Sequence, residues 1–127
     1  MSLLFPDPIE IRDAGMHDGS RVFALIKPFR YISSIGTIHV PAGFLTDGAS
    51  VPRVFWSIFD PFGPYFHAAL VHDFLYSRQS SERYDLDRAE ADEIFKEAMF
   101  NIGIGWATRE TIYHAVRLFG WRNFKRK

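Results

Sequence analysis

No cysteine occurs among the 127 residues of this chain, which excludes disulfide bonds and cysteine-ligated zinc sites. The chain also has no excess of positive or negative charge, because fifteen Lys and Arg residues balance fifteen Asp and Glu residues. A protein with zero net charge lacks the long-range field that draws most nucleic-acid binders to phosphate, and the sequence contains no nucleic-acid-binding motif. We therefore expect no nucleic-acid partner.

Long apolar runs are also missing. A transmembrane helix needs about 20 consecutive apolar residues, and no stretch of the sequence approaches that length. Residues 1–8 have neither the basic flank nor the apolar run of a signal peptide. We therefore expect no membrane span and synthesis in the cytoplasm of the producing cell, with release, if any, by lysis or as part of a particle.

What the chain does contain is an apolar and aromatic content sufficient for a core. Hydrophobic residues make up 47% of the sequence and aromatic residues 17%, and the length predicts one domain, residues 1–127. Residues 1–45 are predicted to be strand-rich. Apolar and polar residues alternate over residues 9–12, residues 21–26 resemble a buried strand, and residues 31–40 resemble a hairpin with its turn at Ser33-Ser34-Ile35-Gly36.

The second part of the chain is predicted to be helical. It comprises an ordered loop (44–62), a helical region (63–121) with helices at about 63–77, 87–101 and 108–120, and a basic tail (122–127). Asp87 and Glu90 match a capping box, Thr108 can cap the third helix, and Gly120 can end it. Strands followed by helices favour an α+β fold, in which a small antiparallel strand region packs on three C-terminal helices.

Reactive side chains are concentrated on the first two predicted helices. His72 and Tyr76 are four residues apart and share a helix face, whereas Asp73 is rotated from His72 by about 100°. A His is a suitable general base near neutral pH, and Asp92 on the next helix could orient its second nitrogen. Asp73 would then be free to bind a hard cation, for which calcium is the candidate cofactor.

A structural interpretation of the same residues stays open. A His on an apolar helix is commonly part of a core, and its polar atoms are then satisfied within the protein. Asp73 could bind a backbone amide, and Asp92 could pair with Arg88 four residues earlier on the same helix.

The central loop offers further polar groups. Asp47 could supply a second carboxylate for the cation, whereas Ser50 or backbone amides such as that of Gly48 could bind an oxyanion. Alternatively, Asp47 and Gly48 form a tight turn that docks the strands on the helices.

Two resemblances follow from these motifs. The pattern Ala68-Ala69-x-x-His72-Asp73-x-x-Tyr76 with Ala91-Asp92-x-x-Phe95 resembles the paired-helix signature of phospholipase A2. That resemblance implies that His72 deprotonates a water molecule and Asp92 orients His72. It further implies that Asp73 binds calcium and that Tyr76 supports the network.

A second resemblance covers roughly residues 20–120. The segment Val40-Pro41-Ala42-Gly43-Phe44-x-Thr46-Asp47-Gly48-Ala49-Ser50-Val51-Pro52, followed by the two helix motifs, is similar to domain of unknown function family 1353. That family occurs in bacteriophages, prophages and bacteria. The resemblance implies a phage or prophage context and no established activity.

Two functions remain as hypotheses. The first is a small phage-type hydrolase that uses a His-Asp pair and water, with or without a divalent cation such as calcium, on a cell-envelope ester or amide of phospholipid or peptidoglycan. The second is a non-catalytic virion or tail-associated protein that assembles with other phage proteins. They differ at His72, because a catalytic base must face an open cleft, whereas a structural His should be buried with both nitrogens satisfied. A His72 sealed in the core would count against the phospholipase-like hypothesis and favour the structural one.

Overall fold

The strands precede the helices in this α+β fold, as the sequence predicts. The computed structural model describes residues 4–17, 19–46, 65–81, 83–122 and 124. The elements in these ranges are β1 (Ile11–His17), β2 (Ser20–Leu25), β3 (Phe29–Ser33), β4 (Gly36–Val40), β5 (Leu45–Thr46), α1 (Tyr65–Tyr76), α2 (Arg78–Ser81), α3 (Arg88–Asn101), α4 (Trp106–Phe119) and a final 3-10 turn (Gly120–Arg122).

The described strands form two antiparallel sheets. One has the order β1-β2-β5, and the other is the β3-β4 hairpin. The hairpin confirms the predicted turn, because Ser33 pairs with Gly36 and leaves Ser34 and Ile35 at its tip. The first strand begins later than predicted, at Ile11 rather than residue 9.

A bulge interrupts the pairing of β1 with β2. The register shifts between Asp13 and Met16, and Gly15 in the bulge has a φ of 89°. That conformation is available to glycine without a steric penalty. The Asp13 carboxylate accepts a hydrogen bond from the Gly15 amide at 2.8 Å and also pairs with Arg21 on β2, so local side chains stabilise the bulge.

β5 lies where the sequence predicted only loop. Leu45 and Thr46 pair with Ala24 and Phe23 of β2, so backbone bonding to the sheet edge makes this short segment a strand. Two residues carry too little periodicity to be recognised in the sequence. The pairing fixes the position of Thr46, whose side chain contacts α1.

The predicted capping box is confirmed on α3. The Glu90 amide donates to the Asp87 carboxylate at 2.8 Å, and the Asp87 amide donates to the Glu90 carboxylate at 3.1 Å. The predicted cap of the last helix is wrong. Gly105 is the N-cap, in an extended conformation, and its carbonyl accepts the first helical bond from Arg109, so Thr108 lies within the first turn.

α1 is the central helix of the core. Ten of its twelve residues are buried, and a helix that is apolar on all sides requires neighbours on all sides. α3 packs along it, and the strands cover it further. Within the described residues, no helix has the length and apolar character needed to cross a bilayer.

The Tyr31 hydroxyl ties the hairpin to α3. It donates to Glu97 at 2.6 Å and accepts from the Asn101 amide at 2.9 Å, and the Ser34 hydroxyl also donates to Glu97. These bonds join residues that are more than sixty positions apart in the chain. They hold the sheet against the helix pair that carries the candidate site.

Candidate functional site

The packing of α1 on α3 brings His72 and Asp92 together. Nε2 of His72 lies 2.7 Å from Oδ1 of Asp92. His72 is 2% exposed and Asp92 is fully buried. This distance lies within the range of about 2.6–3.2 Å expected between a base and the group that orients it.

Asp92 is the centre of a polar cluster. Its Oδ1 also accepts a hydrogen bond from the Tyr76 hydroxyl at 2.5 Å. Its Oδ2 accepts one from Arg117 Nη1 at 2.6 Å and lies 3.6 Å from Arg88 Nη1. We call these five residues the Asp92 cluster. A buried carboxylate is stable only when its charge and lone pairs are matched in this way.

The structure combines the two interpretations that the sequence left open for Asp92. It orients His72, and it also lies near Arg88, four residues earlier on the same helix. The Arg88 guanidinium additionally donates to the carbonyls of Val116 and Arg117 at 3.0 Å each. These carbonyls belong to the C-terminal end of α4, where a cation is favoured.

Sequence reasoning missed Arg117. It flanks the apolar face of α4 next to Val116, and this position was the available signal. Its contact with Asp92 depends on how α4 packs on α3, which local patterns do not specify. The structure therefore brings together three of the predicted site residues, His72, Tyr76 and Asp92, and adds a cation from α4.

The hydrogen bonds set the charge of Asp92. Burial alone would raise the pKa of its carboxyl group, but bonds from His72, Tyr76 and Arg117 hold that pKa below its ordinary value. Burial also raises the pKa of Tyr76, and the adjacent Asp92 raises it further. Asp92 is therefore ionised at neutral pH, and Tyr76 keeps its proton.

His72 is neutral at the same pH. Burial lowers the pKa of its imidazole, and the hydrogen bond and charge of Asp92 oppose that effect without cancelling it. An ionised carboxylate can only accept hydrogen bonds, so the Nε2 of His72 carries the proton. Nδ1 therefore presents a lone pair.

Nδ1 of His72 is buried and has no hydrogen-bond partner in the part of the chain that the structure describes. The imidazole is held between two aromatic rings. The Phe95 ring stacks on it at a centroid distance of 4.2 Å, and the Tyr76 ring lies at 4.1 Å. The tautomer and the ring orientation of His72 are both fixed by its neighbours.

Asp73 lies outside the Asp92 cluster. Its Oδ2 accepts a hydrogen bond from the Thr46 hydroxyl at 2.5 Å, so this carboxylate joins α1 to β5. Among the described residues, no group of three or more His, Asp or Glu side chains is placed to hold a metal ion. Calcium takes about six to eight oxygen ligands, and here Asp73 and Thr46 supply one carboxylate and one hydroxyl.

Three predicted site residues, Asp47, Gly48 and Ser50, lie outside the described residues. The roles of Asp47 as a cation ligand and of Gly48 and Ser50 as oxyanion donors therefore stay predictions, as does the calcium site. The described residues supply a fixed neutral imidazole with a free lone pair beside an ionised carboxylate. The orientation and protonation state of the ring are those of a general base. The expected access from an open cleft is not seen, because His72 is 2% exposed and its Nδ1 is buried.

Comparison with known proteins identifies the family. Residues 23–116 match the family described as "Protein of unknown function (DUF1353)". An uncharacterized protein, y4jT of Sinorhizobium fredii (strain NBRC 101917 / NGR234), is 37% identical over 84 residues. The match covers 64% of this chain but only 23% of that relative. No solved structure matches the chain. Because the family match extends over most of its length, the chain belongs to the DUF1353 family of proteins of unknown function.

Proposed function

We propose that the protein hydrolyses an ester or amide bond, with His72 as the general base and Asp92 as the residue that orients it. The observation that carries the proposal is the asymmetry of the His72 ring. Nε2 is bonded to an ionised carboxylate, whereas Nδ1 is an acceptor without a partner among the described residues. Native structures leave few buried polar atoms unpaired, and each such atom requires an explanation, of which a catalytic role is one.

The reaction proceeds in two steps. His72 Nδ1 takes a proton from water while the water oxygen bonds to the substrate carbonyl carbon, and the carbonyl electron pair moves onto its oxygen. The tetrahedral intermediate then collapses, the bond to the leaving oxygen or nitrogen breaks, and His72 returns its proton to that atom. Asp92 remains ionised and stabilises the transient imidazolium. The products are a carboxylic acid and an alcohol or amine.

The substrate class and context extend the proposal. The family resemblance implies a phage or prophage origin, in which the bond would belong to a cell-envelope phospholipid or to peptidoglycan. Calcium would be a cofactor if Asp47 joined Asp73 as a ligand. Its contribution would be to polarise the carbonyl oxygen.

The burial of the site supports a second candidate function. Every polar atom of Asp92 is satisfied, and His72 is almost fully enclosed. A satisfied polar network of this kind can hold three helices in register without chemistry. The protein would then be a structural or assembly component that contacts other virion proteins.

The test is hydrolysis by wild-type protein and by His72→Gln, with 4-nitrophenyl esters, phosphatidylglycerol vesicles and purified peptidoglycan, each with calcium and with a chelator. Glutamine can still donate to Asp92 but cannot act as a base. We expect His72→Gln to lower kcat by about 100-fold or more. The matched control His114→Gln changes an exposed His on α4 and should keep wild-type activity. Folded wild-type protein with no activity on the whole panel would favour the structural role.

A further inference from the structure

Like His72 Nδ1, a second buried polar atom on α1 lacks a hydrogen-bond partner among the residues that the structure describes. The Tyr65 hydroxyl is buried and has no hydrogen-bond partner in the described ranges. Leaving a buried polar atom unpaired costs about 1–3 kcal/mol. One such atom can be an accident of packing, but two on one face of the same helix, one a donor and the other an acceptor, call for a common explanation.

Tyr65 and His72 lie on the same face of α1. Seven residues separate them, which is close to two helical turns and about 10 Å along the axis. Both rings pack on Phe95 of α3, Tyr65 edge-on at a centroid distance of 5.8 Å and His72 stacked at 4.2 Å. Between them the same side of the helix carries the small residues Ala68 and Ala69.

The two atoms are chemically complementary. Burial raises the pKa of Tyr65 well above its ordinary value, and the charge of Asp73 raises it further. The phenol therefore keeps its proton at any physiological pH and is a hydrogen-bond donor. His72 Nδ1 is an acceptor, because the proton of the imidazole is on Nε2.

We propose that Tyr65 and His72 jointly bind the reacting groups of the substrate, with the Tyr65 hydroxyl donating to the carbonyl oxygen and His72 Nδ1 accepting from the attacking water. This assignment rests on the proposed function and adds a catalytic residue to it. Tyr65 keeps its proton throughout and stabilises the negative charge that develops on the carbonyl oxygen. Hydrogen-bond donors aimed at such an oxygen usually make a large contribution to acyl transfer.

The first experiment compares Tyr65→Phe with wild type. This substitution removes only the hydroxyl and keeps the ring on Phe95. We expect kcat to fall by about 100-fold. The melting temperature should stay the same or rise, because an unpaired buried hydroxyl is lost. The matched control Tyr113→Phe removes a hydroxyl that bonds Glu93 on the surface, and it should retain full activity.

The second experiment measures binding without catalysis. A primary amide such as butyramide carries a carbonyl oxygen that can accept from the Tyr65 hydroxyl and an NH2 group that can donate to His72 Nδ1. In titrations followed by the NMR signals of the His72 ring, we expect saturable shifts in wild type. Loss of one neutral hydrogen bond should weaken binding to Tyr65→Phe by about two- to tenfold.

The results separate this inference from the proposed function. Amide binding that depends on Tyr65 in a wild-type protein without hydrolase activity would support the paired site and contradict hydrolysis. Wild-type hydrolysis that Tyr65→Phe leaves unchanged would overturn the role of Tyr65 while leaving His72 as the base. A lower melting temperature for Tyr65→Phe would assign the hydroxyl a structural bond and would also overturn the inference, as would the absence of amide binding.

Discussion

At the scale of single residues, the protonation state of His72 reflects a balance between burial and one carboxylate. Burial opposes the charged imidazolium, and Asp92 favours it. Arg117 and Arg88 share the charge of Asp92, so the carboxylate attracts the imidazole proton less than an isolated carboxylate would. Burial consequently has the larger effect, and the pKa of His72 is lowered.

This balance predicts a specific dependence of stability on pH. The pKa of His72 in the folded protein lies below its ordinary value of 6.5, so the unfolded chain binds the extra proton first. The free energy of unfolding should therefore fall as the pH is lowered through and below about 6.5, by at most about 1.4 kcal/mol per pH unit for this group. The free energy of unfolding should fall again below pH 3.8, the ordinary pKa of an Asp side chain, because the pKa of Asp92 in the folded protein is also lowered.

Urea unfolding of wild type and His72→Gln between pH 7 and pH 5 measures the part of the loss of stability that is due to His72. This variant should lose the His72 contribution to the pH dependence, whereas His114→Gln should retain it. If wild type and His72→Gln changed in parallel over this interval, His72 would titrate as it does in the unfolded chain, and burial would not control its pKa.

The sequence predicts His72, Tyr76 and Asp92 as neighbours because each pairing follows from helix periodicity and the packing of two adjacent helices. Arg117 could not be assigned in this way, since its approach to Asp92 depends on a third helix. The partner of Asp73 was also missed, because Thr46 lies on β5, a two-residue strand that only its pairing with β2 reveals.

At the scale of elements, the C-cap of α4, Gly120, packs closely against the Tyr76 side chain. The sequence predicts that Gly120 ends this helix, and it is indeed the C-cap. Glycine commonly ends helices because it can adopt a positive φ. Gly120 has a φ of −70°, which any residue can adopt, so a different reason applies here. A Cβ at this position would instead lie 2.8 Å from the Tyr76 hydroxyl, which is held by its bond to Asp92.

Gly120→Ala should therefore destabilise the protein by about 1–3 kcal/mol, because the added methyl group must displace a hydroxyl that is already bonded. Urea unfolding measures this loss. The double variant Gly120→Ala/Tyr76→Phe should lose less than the sum of its single variants, since the hydroxyl in conflict is absent.

The control for this experiment is Gly105→Ser at the N-cap of the same helix. A Cβ there meets nothing within 4 Å, and serine is a favourable N-cap residue, so stability should be unchanged or slightly higher. Additive losses in the double variant would show that Gly120 and Tyr76 do not interact.

At the scale of the whole molecule, the segment before β1 is part of the core although it lies outside the residues matched to the family. Phe5 is 1% exposed and stacks on Tyr31 at a centroid distance of 4.6 Å, and it meets His67 of α1 edge-on at 5.7 Å. Nearby, the Asp7 carboxylate accepts hydrogen bonds from Nε and Nη2 of Arg30 at 2.8 and 2.9 Å. The segment thus contacts the hairpin and the central helix at once.

Phe5→Ala should consequently reduce the free energy of unfolding by about 3–5 kcal/mol, through lost burial and the cavity left between hairpin and α1. Because Phe5 joins the two parts of the fold, we expect far-UV circular dichroism, which mainly follows the helices, and the amide NMR signals of the β3-β4 hairpin to report the same shifted urea transition. Met16→Ala on β1, where the side chain is 60% exposed, is the control and should change stability by less than about 0.5 kcal/mol. Separate transitions for the two probes in Phe5→Ala would mean that the strands and helices unfold independently, and that the region matched to the family is held together without this segment.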